Sequence, residues 1–425
     1  MNPRFLSSLL VLTLLFSAAS FGLGGAVRNG DLSLPENHEI RRQLEDYLYL
    51  APSQAAQLES GVYSQREQAH RVMFEVLAHG DDLYSLFINE SQERFDVVGS
   101  GNYIVRRSRI DGTFIQAKVF VRPDSGCFVR IFPFEERSKL DLYVFGAPMK
   151  TGIVLPIEFH QVLAVPFSRI MQLSEGWVDW DFVLYHEYRQ GDAGIERVVE
   201  DIRAALPRLR DADDGAMDAR GEYVFIETGT PQGELGGLNC SGFAKWVVDG
   251  FYRPLAGQCI GVEALKIPAS TFRGNAWSRR LESERDPYFG LDWSRYLATR
   301  LAQARTGILA DDLEEFDVRL MDPFPYTDDI GYPTEGLAVL LFRLAQDFPG
   351  YFYIGSLNRD YGENPILRQH FHVVVLFPYF ERQGDFSVVV MERNQESSLE
   401  TLLERYPGHH IHLVRVEARG LFDLP

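Results

Sequence analysis

One cysteine and one histidine in this chain are placed to do acyl-transfer chemistry. The cysteine lies in residues 229–248, GTPQGELGGLNCSGFAKWVV. After Asn239-Cys240-Ser241-Gly242, residues Phe243, Trp246 and Val247 recur at the spacing of one buried helix face. That pattern predicts Cys240 at the first turn of a core helix. Unpaired backbone N–H groups and the positive end of the helix dipole act on a sulfur placed there. They favour the thiolate, which attacks carbonyls. Gly236, Gly237, Ser241 and Gly242 are small and are expected to let a substrate backbone approach. The same residues also fit a buried structural thiol, because free Cys is commonly buried.

The histidine lies in residues 369–394, QHFHVVVLFPYFERQGDFSVVVMERN. This stretch predicts a β-hairpin with strands near 371–378 and 386–394 and a turn over Tyr379 to Asp385. If Pro378 opposes Phe386, His372 faces Glu392, and Asn394 shares that face by period-2 alternation. A carboxylate or amide on one imidazole nitrogen would fix the ring and leave the other nitrogen for a thiol. A one-residue slip would break the pairing. His370 is the alternative base, and His372 is preferred because it directly opens the apolar run. Gln232 is a candidate oxyanion donor through its side-chain amide, and equally an ordinary loop glutamine.

The run GTPxxxxGGxxCSGF resembles the nucleophile motif of NlpC-like cell-wall cysteine peptidases, which usually read G-T-P-Y…G-G…D-C-S-G-F. Asn239 stands here in the usual Asp place and Gln232 in the usual Tyr place. His-Val-Val-Val, a hairpin and Val-Val-Met-Glu-Arg-Asn resemble CHAP domains, the cysteine- and histidine-dependent amidohydrolase/peptidase family. Those carry a histidine opening one strand and E-x-N ending the next. Both families share a papain-like core with the Cys on a helix and the His on a sheet. The resemblance implies Cys240 as nucleophile, His372 as base, and Glu392 and Asn394 as orienting groups, with no metal and no cofactor. It implies amide cleavage through an acyl-thioester, with the peptide part of peptidoglycan or another cell-envelope amide as substrate. Two rival readings use the same residues. One is a non-catalytic envelope-binding protein on a papain-like scaffold. The other is an amidase or acyltransferase acting on a small molecule or lipid.

The rest of the chain must position these residues. Its 425 residues fit two or three domains. The formal net charge of −18 argues against nucleic acid and against docking on anionic lipid by charge alone. Residues 1–26 read as a secretory signal: Arg4, then an apolar stretch from Phe5 to Phe16 too short to span a bilayer. No other stretch reaches membrane-spanning length. The expectation is an exported protein of the periplasm, cell envelope or extracellular space, with no stable membrane span after signal cleavage. Three cysteines, Cys127, Cys240 and Cys259, leave at least one thiol unpaired within the chain. A Cys127–Cys259 bridge would join segments assigned to different domains and is not expected.

The predicted fold class is α+β: a papain-like catalytic domain over 191–425 with a long helical insert near 255–365. Before it, residues 27–190 are expected to form a helical segment and a mainly antiparallel β domain. Glu36 to about Phe87 reads as helical, with Leu44, Leu48 and Leu50 before Pro52, then Val72, Met73, Val76 and Leu77. From Phe95 to Phe159, short β-rich runs alternate with turns, and Phe182 to Tyr188 is a possible further strand. Ile195 to Leu206 predicts an amphipathic helix stopped by Pro207. Trp177 and Trp180 fit packing better than a ligand-stacking pair. Asp211, Asp213 and Glu222 echo a calcium loop, but its required glycine is Ala216 here, so a solvated loop is the better reading. His409, His410 and His412 lack a neighbouring carboxylate or Cys at ligand spacing and are read as a strand end.

Overall fold

The computed structural model describes residues 34–267, 290–308, 312–363 and 366–425. The predicted signal sequence and part of the predicted insert lie outside these residues.

The first sheet is an eight-stranded meander from β1 (Gly61–Ser64) to β8 (Ala147–Leu155), each strand antiparallel to the next. Alternation explains its two faces. Tyr103, Val105, Ala117, Val119, Val129 and Ile131 are buried. Arg106, Lys118 and Arg130, which alternate with them, are only half-buried. Helices His38–Gln43 and Phe159–Ala164 lie beside each other on the buried side. Arg41 sits there with its guanidinium over the Tyr103 ring and donating to the Val165 carbonyl at 2.7 Å.

The strand runs expected after Phe95 are present. The helical reading of Glu36 to Phe87 holds only as far as Ala55. Residues 71–79 are strand β2 (Arg71–His79), with Val72 and Phe74 buried and Met73 and Glu75 on the other face. The apolar residues at 72, 73, 76 and 77 mimic helical spacing, but cross-strand pairing with β3 (Asp82–Asn89) overrides it. Phe182 to Tyr188 is not a strand either: Trp180–Val183 is a short helix followed by irregular chain. Trp180 is buried and its indole N–H donates to Met171 and Ser174, whereas Trp177 is 55% exposed.

After a short antiparallel pair, β9 (Ala216–Met217) with β10 (Tyr223–Val224), the second sheet has six antiparallel strands in the order β11 (Tyr332–Pro333), β16 (His410–Glu417), β12 (Tyr351–Tyr361), β13 (Leu367–Phe380), β14 (Phe386–Glu392), β15 (Gln395–Ser398). Both faces are covered. Helices Gln190–Ala205, Cys240–Ala256 and Leu291–Thr306 share a core with Ile354, Val373, Val375 and Phe377. Helices Leu337–Asp347 and Leu399–Arg405 share one with Tyr353, Leu357, Val374 and Leu376. This double coverage leaves Phe352 to Asn358 of β12 and Val373 to Phe380 of β13 continuously buried rather than alternating.

The described parts of the segment expected as an insert, 255–365, belong to the core of the fold. They supply β12, which lies between β16 and β13, and the Leu291–Thr306 helix, whose Trp293 indole donates to the Ser241 carbonyl at 2.9 Å. The two sheets meet through Phe145, stacked edge-on against Phe342 and near Phe386. Arg122 reinforces this contact, donating to the Tyr185 carbonyl at 2.6 Å and the Gly384 carbonyl at 3.2 Å.

Candidate active site

Cys240 opens the Cys240–Ala256 helix, as expected. Asn239 is the N-cap, its Oδ1 accepting from the Gly242 N–H at 2.8 Å. Phe243, Trp246, Val247 and Phe251 are all buried and anchor the helix against the sheet. Each such side chain contributes about 1.5–3 kcal/mol by leaving water. At the far end Gly257 adopts φ +73° and closes the helix, its N–H donating to the Arg253 carbonyl.

The glycines before and after the cysteine serve the fold itself. A Cβ on Gly242 would lie 1.9 Å from the Gly215 carbonyl oxygen, and one on Gly237 would lie 2.7 Å from that of Arg210. The expected room for a substrate backbone is therefore filled by residues 210–216 of this chain. Gln232 belongs to the same packing. Its Nε2 donates to the carbonyls of Val224 at 2.8 Å and of Asp214 and Gly237, both at 3.2 Å. Its Oε1 accepts from the Gly237 N–H at 2.8 Å. With its amide committed to these partners, Gln232 pins the loop instead of offering a donor to an oxyanion. Within the first helical turn, Asn239 Nδ2 and the Ser241 hydroxyl are buried with no hydrogen-bond partner among the described residues.

The hairpin places the histidine. Its turn is tighter than expected: Phe380 pairs with Phe386, so Pro378 opposes Val388, not Phe386. The register is shifted by two residues, which keeps every side chain on its expected face. The last ladder pair is Val375 with Met391, and beyond it β14 parts from β13. On its other side β13 carries an irregularity, with Leu357 opposite His372 and Asn358 opposite His370, so Phe371 is the extra residue. His372 thus lies where the ladder opens.

The sulfur and the ring meet there. The His372 side chain and the Val373 backbone N–H lie close enough to the Cys240 sulfur to favour its thiolate. The ring's Nε2 bonds Glu392 Oε2 at 2.8 Å, leaving Nδ1 as the nitrogen for the thiol. Arg405, ending the Leu399–Arg405 helix, grips Glu392 from behind with contacts of 2.6 and 3.1 Å. Asn394 is not part of this line. Arg393 and Asn394 form the two-residue turn between β14 and β15, with Arg393 at φ +54°, and Asn394 Nδ2 donates to the Leu209 carbonyl at 3.3 Å. His370 turns to the Asp329 carbonyl at 3.2 Å.

Electrostatics separate the three thiols. Burial opposes ionisation of Cys240, but the neighbouring His372 ring, the Val373 N–H and the Arg393 charge outweigh it. The thiol is held below its ordinary range. Burial, with the nearby carboxylates of Asp124 and Asp249 adding to it, pushes Cys127 up to about 12 and Cys259 up to about 11. All three cysteines are free. His372 is disfavoured as a cation by burial, yet the neighbouring Cys240 and Glu392 raise it to about 9. Burial works against the Glu392 carboxylate, and His372 and Arg405 more than compensate, holding it below the ordinary carboxylate range. The arrangement favours a thiolate–imidazolium pair backed by a carboxylate.

A groove of about 970 Å³ opens on the His372 side, lined among others by Phe371, His372, Glu392, Asn394, Arg405 and Tyr406. The His372 side chain is 12% exposed, whereas Cys240 is 2% exposed and lies behind it. Among the described residues no group of His, Cys, Asp and Glu is placed to hold a metal ion. Of the calcium-loop residues, Asp211 pairs with Arg393 at 2.7 Å and Glu222 with Arg220 at 2.9 Å. His412 is buried, 3.5 Å from Asp317. Arg405 and Arg393 are the site residues that sequence reasoning missed. Arg393 was legible as the middle residue of Glu-Arg-Asn, whereas Arg405 is linked to Glu392 only through the helix that follows β15.

Among the described residues no helix is long and apolar enough to cross a membrane. Residues 31–182 match the family described as Domain of unknown function (DUF8515). None of the curated proteins and none of the solved structures matches the chain.

Proposed function

We propose that the protein is an exported papain-like cysteine hydrolase that cleaves amide bonds through an acyl-thioester, with the peptide part of peptidoglycan as substrate. The observation that carries this reading is the line Cys240–His372–Glu392, in which His372 lies against the sulfur and is hydrogen-bonded to Glu392 at an opening of the sheet. In the forward step the Cys240 thiolate attacks the amide carbon, and the protonated His372 delivers its proton to the leaving nitrogen. Water then attacks the thioester with His372 as base, releasing the acid and restoring the thiolate–imidazolium pair. Glu392 keeps the ring oriented and stabilises its cation. Asn239 Nδ2, buried beside the nucleophile without a partner, is a better oxyanion donor than Gln232. The choice of peptidoglycan follows the sequence resemblance and the export signal.

The burial of Cys240 favours a second reading, a binding protein that keeps the scaffold without turnover. Incubating wild type and Cys240→Ala with purified peptidoglycan, followed by mass analysis of released fragments, separates the two. Fragments that depend on Cys240 support the hydrolase. An identical, empty profile from both proteins favours the binding protein.

A further inference from the structure

We infer that Arg405 is a positioning residue that holds the Cys240–His372 pair in its charged form by way of Glu392. The inference rests on the hydrolase reading and concerns how that site is tuned. Both oxygens of Glu392 are committed: Oε2 to His372 at 2.8 Å and to Arg405 Nη1 at 3.1 Å, Oε1 to Arg405 Nη2 at 2.6 Å. The carboxylate is 7% exposed, so few alternative partners are within its reach. A guanidinium fork fixes the plane of a carboxylate as well as its charge. Arg405 is itself tied down, by Ser397 Oγ at 3.2 Å.

Four charges then alternate along one line: thiolate, imidazolium, carboxylate, guanidinium. Their sum is zero. Without the last one the line carries a net negative charge in a site that is largely shielded from water. Repulsion from the unneutralised carboxylate then works against the thiolate, and the carboxylate is free to turn away from the ring. The other charged and titratable groups around the line do not replace Arg405. Arg393 acts on the sulfur but is paired with Asp211. Glu396 on β15 is taken by Arg203 at 2.6 Å. Tyr406, whose ring lies 6.0 Å from that of His372, brings no positive charge, and His370 is turned to Asp329.

The test reads the thiol directly. Alkylation of Cys240 by iodoacetamide is followed against pH by mass spectrometry in full-length wild type, Arg405→Gln and Arg405→Lys, with folding checked by denaturant unfolding. The expected wild-type midpoint lies below the ordinary thiol value of about 8.5. Arg405→Gln is expected to raise it by about one unit, a roughly tenfold loss of thiolate at a given pH. Arg405→Lys, which restores the charge without the fork, is expected to recover most of the shift. A folded Arg405→Gln protein with the wild-type midpoint overturns the inference and leaves the hydrolase reading standing. If Arg405→Gln does not fold, Arg405→Met, which keeps the length of the side chain without its charge, is read in the same way: a raised midpoint supports the role and the wild-type midpoint refutes it. An ordinary midpoint in wild type removes the hydrolase reading, and this inference with it.

Discussion

His372 and Glu392 are bonded diagonally across two strands that have already separated. The final ladder pair is Val375–Met391, and the histidine lies three residues before it on one strand while the glutamate follows it directly on the other. Diagonal neighbours on one face remain within reach of long side chains. The 2.8 Å bond therefore forms in the open end of the ladder, and β14 leaves room beside β13 for the ring.

This geometry ranks the two residues that the resemblance places together. Glu392→Gln removes the charge facing the imidazolium and is expected to lower turnover on the order of 10²-fold in a folded protein. Asn394→Ala removes one hydrogen bond to the Leu209 carbonyl and is expected to cost about 1 kcal/mol of stability with little change in turnover. Steady-state kinetics beside urea unfolding read both, and the reverse ranking would make Asn394 the orienting residue.

The pH profile of kcat/KM is expected to be bell-shaped, with its acid limb set by Cys240, below the ordinary thiol range, and its basic limb near 9, where His372 loses its proton. Stability follows with a definite sign. His372 has a folded value raised from 6.5 to about 9. Its contribution is therefore complete below about 6.5 and is lost as the pH rises through 9. Glu392, held low, contributes above its unfolded value and loses its contribution as the pH falls through its folded one. Unfolding of wild type and His372→Gln should converge between pH 6.5 and 9. A constant gap across that window would show that the ring is not charged in the native protein.

Near neutral pH, Cys240 is expected to be the first thiol alkylated, because Cys127 and Cys259 are held protonated by burial. Its own burial slows reagent entry, so the informative quantity is the order of labelling. Prior labelling of either other cysteine in the folded protein counts against Cys240 as the nucleophile.

Gly242→Ala is expected to destabilise the protein by about 1–3 kcal/mol or more, since its methyl would meet the Gly215 carbonyl at 1.9 Å. It should also reduce Cys240 labelling, because the helix start must move. Gly257→Ala, at the other end of the helix with nothing within 4 Å of the new methyl, should cost about 1–2 kcal/mol through its positive φ alone. Labelling should stay intact there. Equal labelling in both variants would show that the Gly215–Gly242 contact does not position the sulfur.

The chemistry-bearing residues were legible because helix starts and strand openings are local signals. Cys240 follows an N-cap asparagine, and His372 opens an apolar run. The hairpin register was less legible. The turn Glu381 to Asp385 closes with Glu381 N–H bonded to the Asp385 carbonyl, two residues tighter than a Pro378–Phe386 pairing requires. Strand β12 went unread because its apolar run, covered by helices on both faces, lacks alternation. Arg405 could not be placed, since only the return of a helix onto β14 brings it to Glu392.

The position of β12 has a bearing on how the molecule comes together. Both of its sheet neighbours, β13 and β16, follow it in the chain, while the helices that bear on its site-facing side precede it. The Cys240 helix therefore lacks its apolar partner until residues more than a hundred positions later have paired. Non-local pairing of this kind slows folding. During refolding the thiol should pass through a period of free access to Ellman's reagent before β12, β13 and β16 join and close it off. Secondary structure of the preceding helices is expected to appear before that protection does.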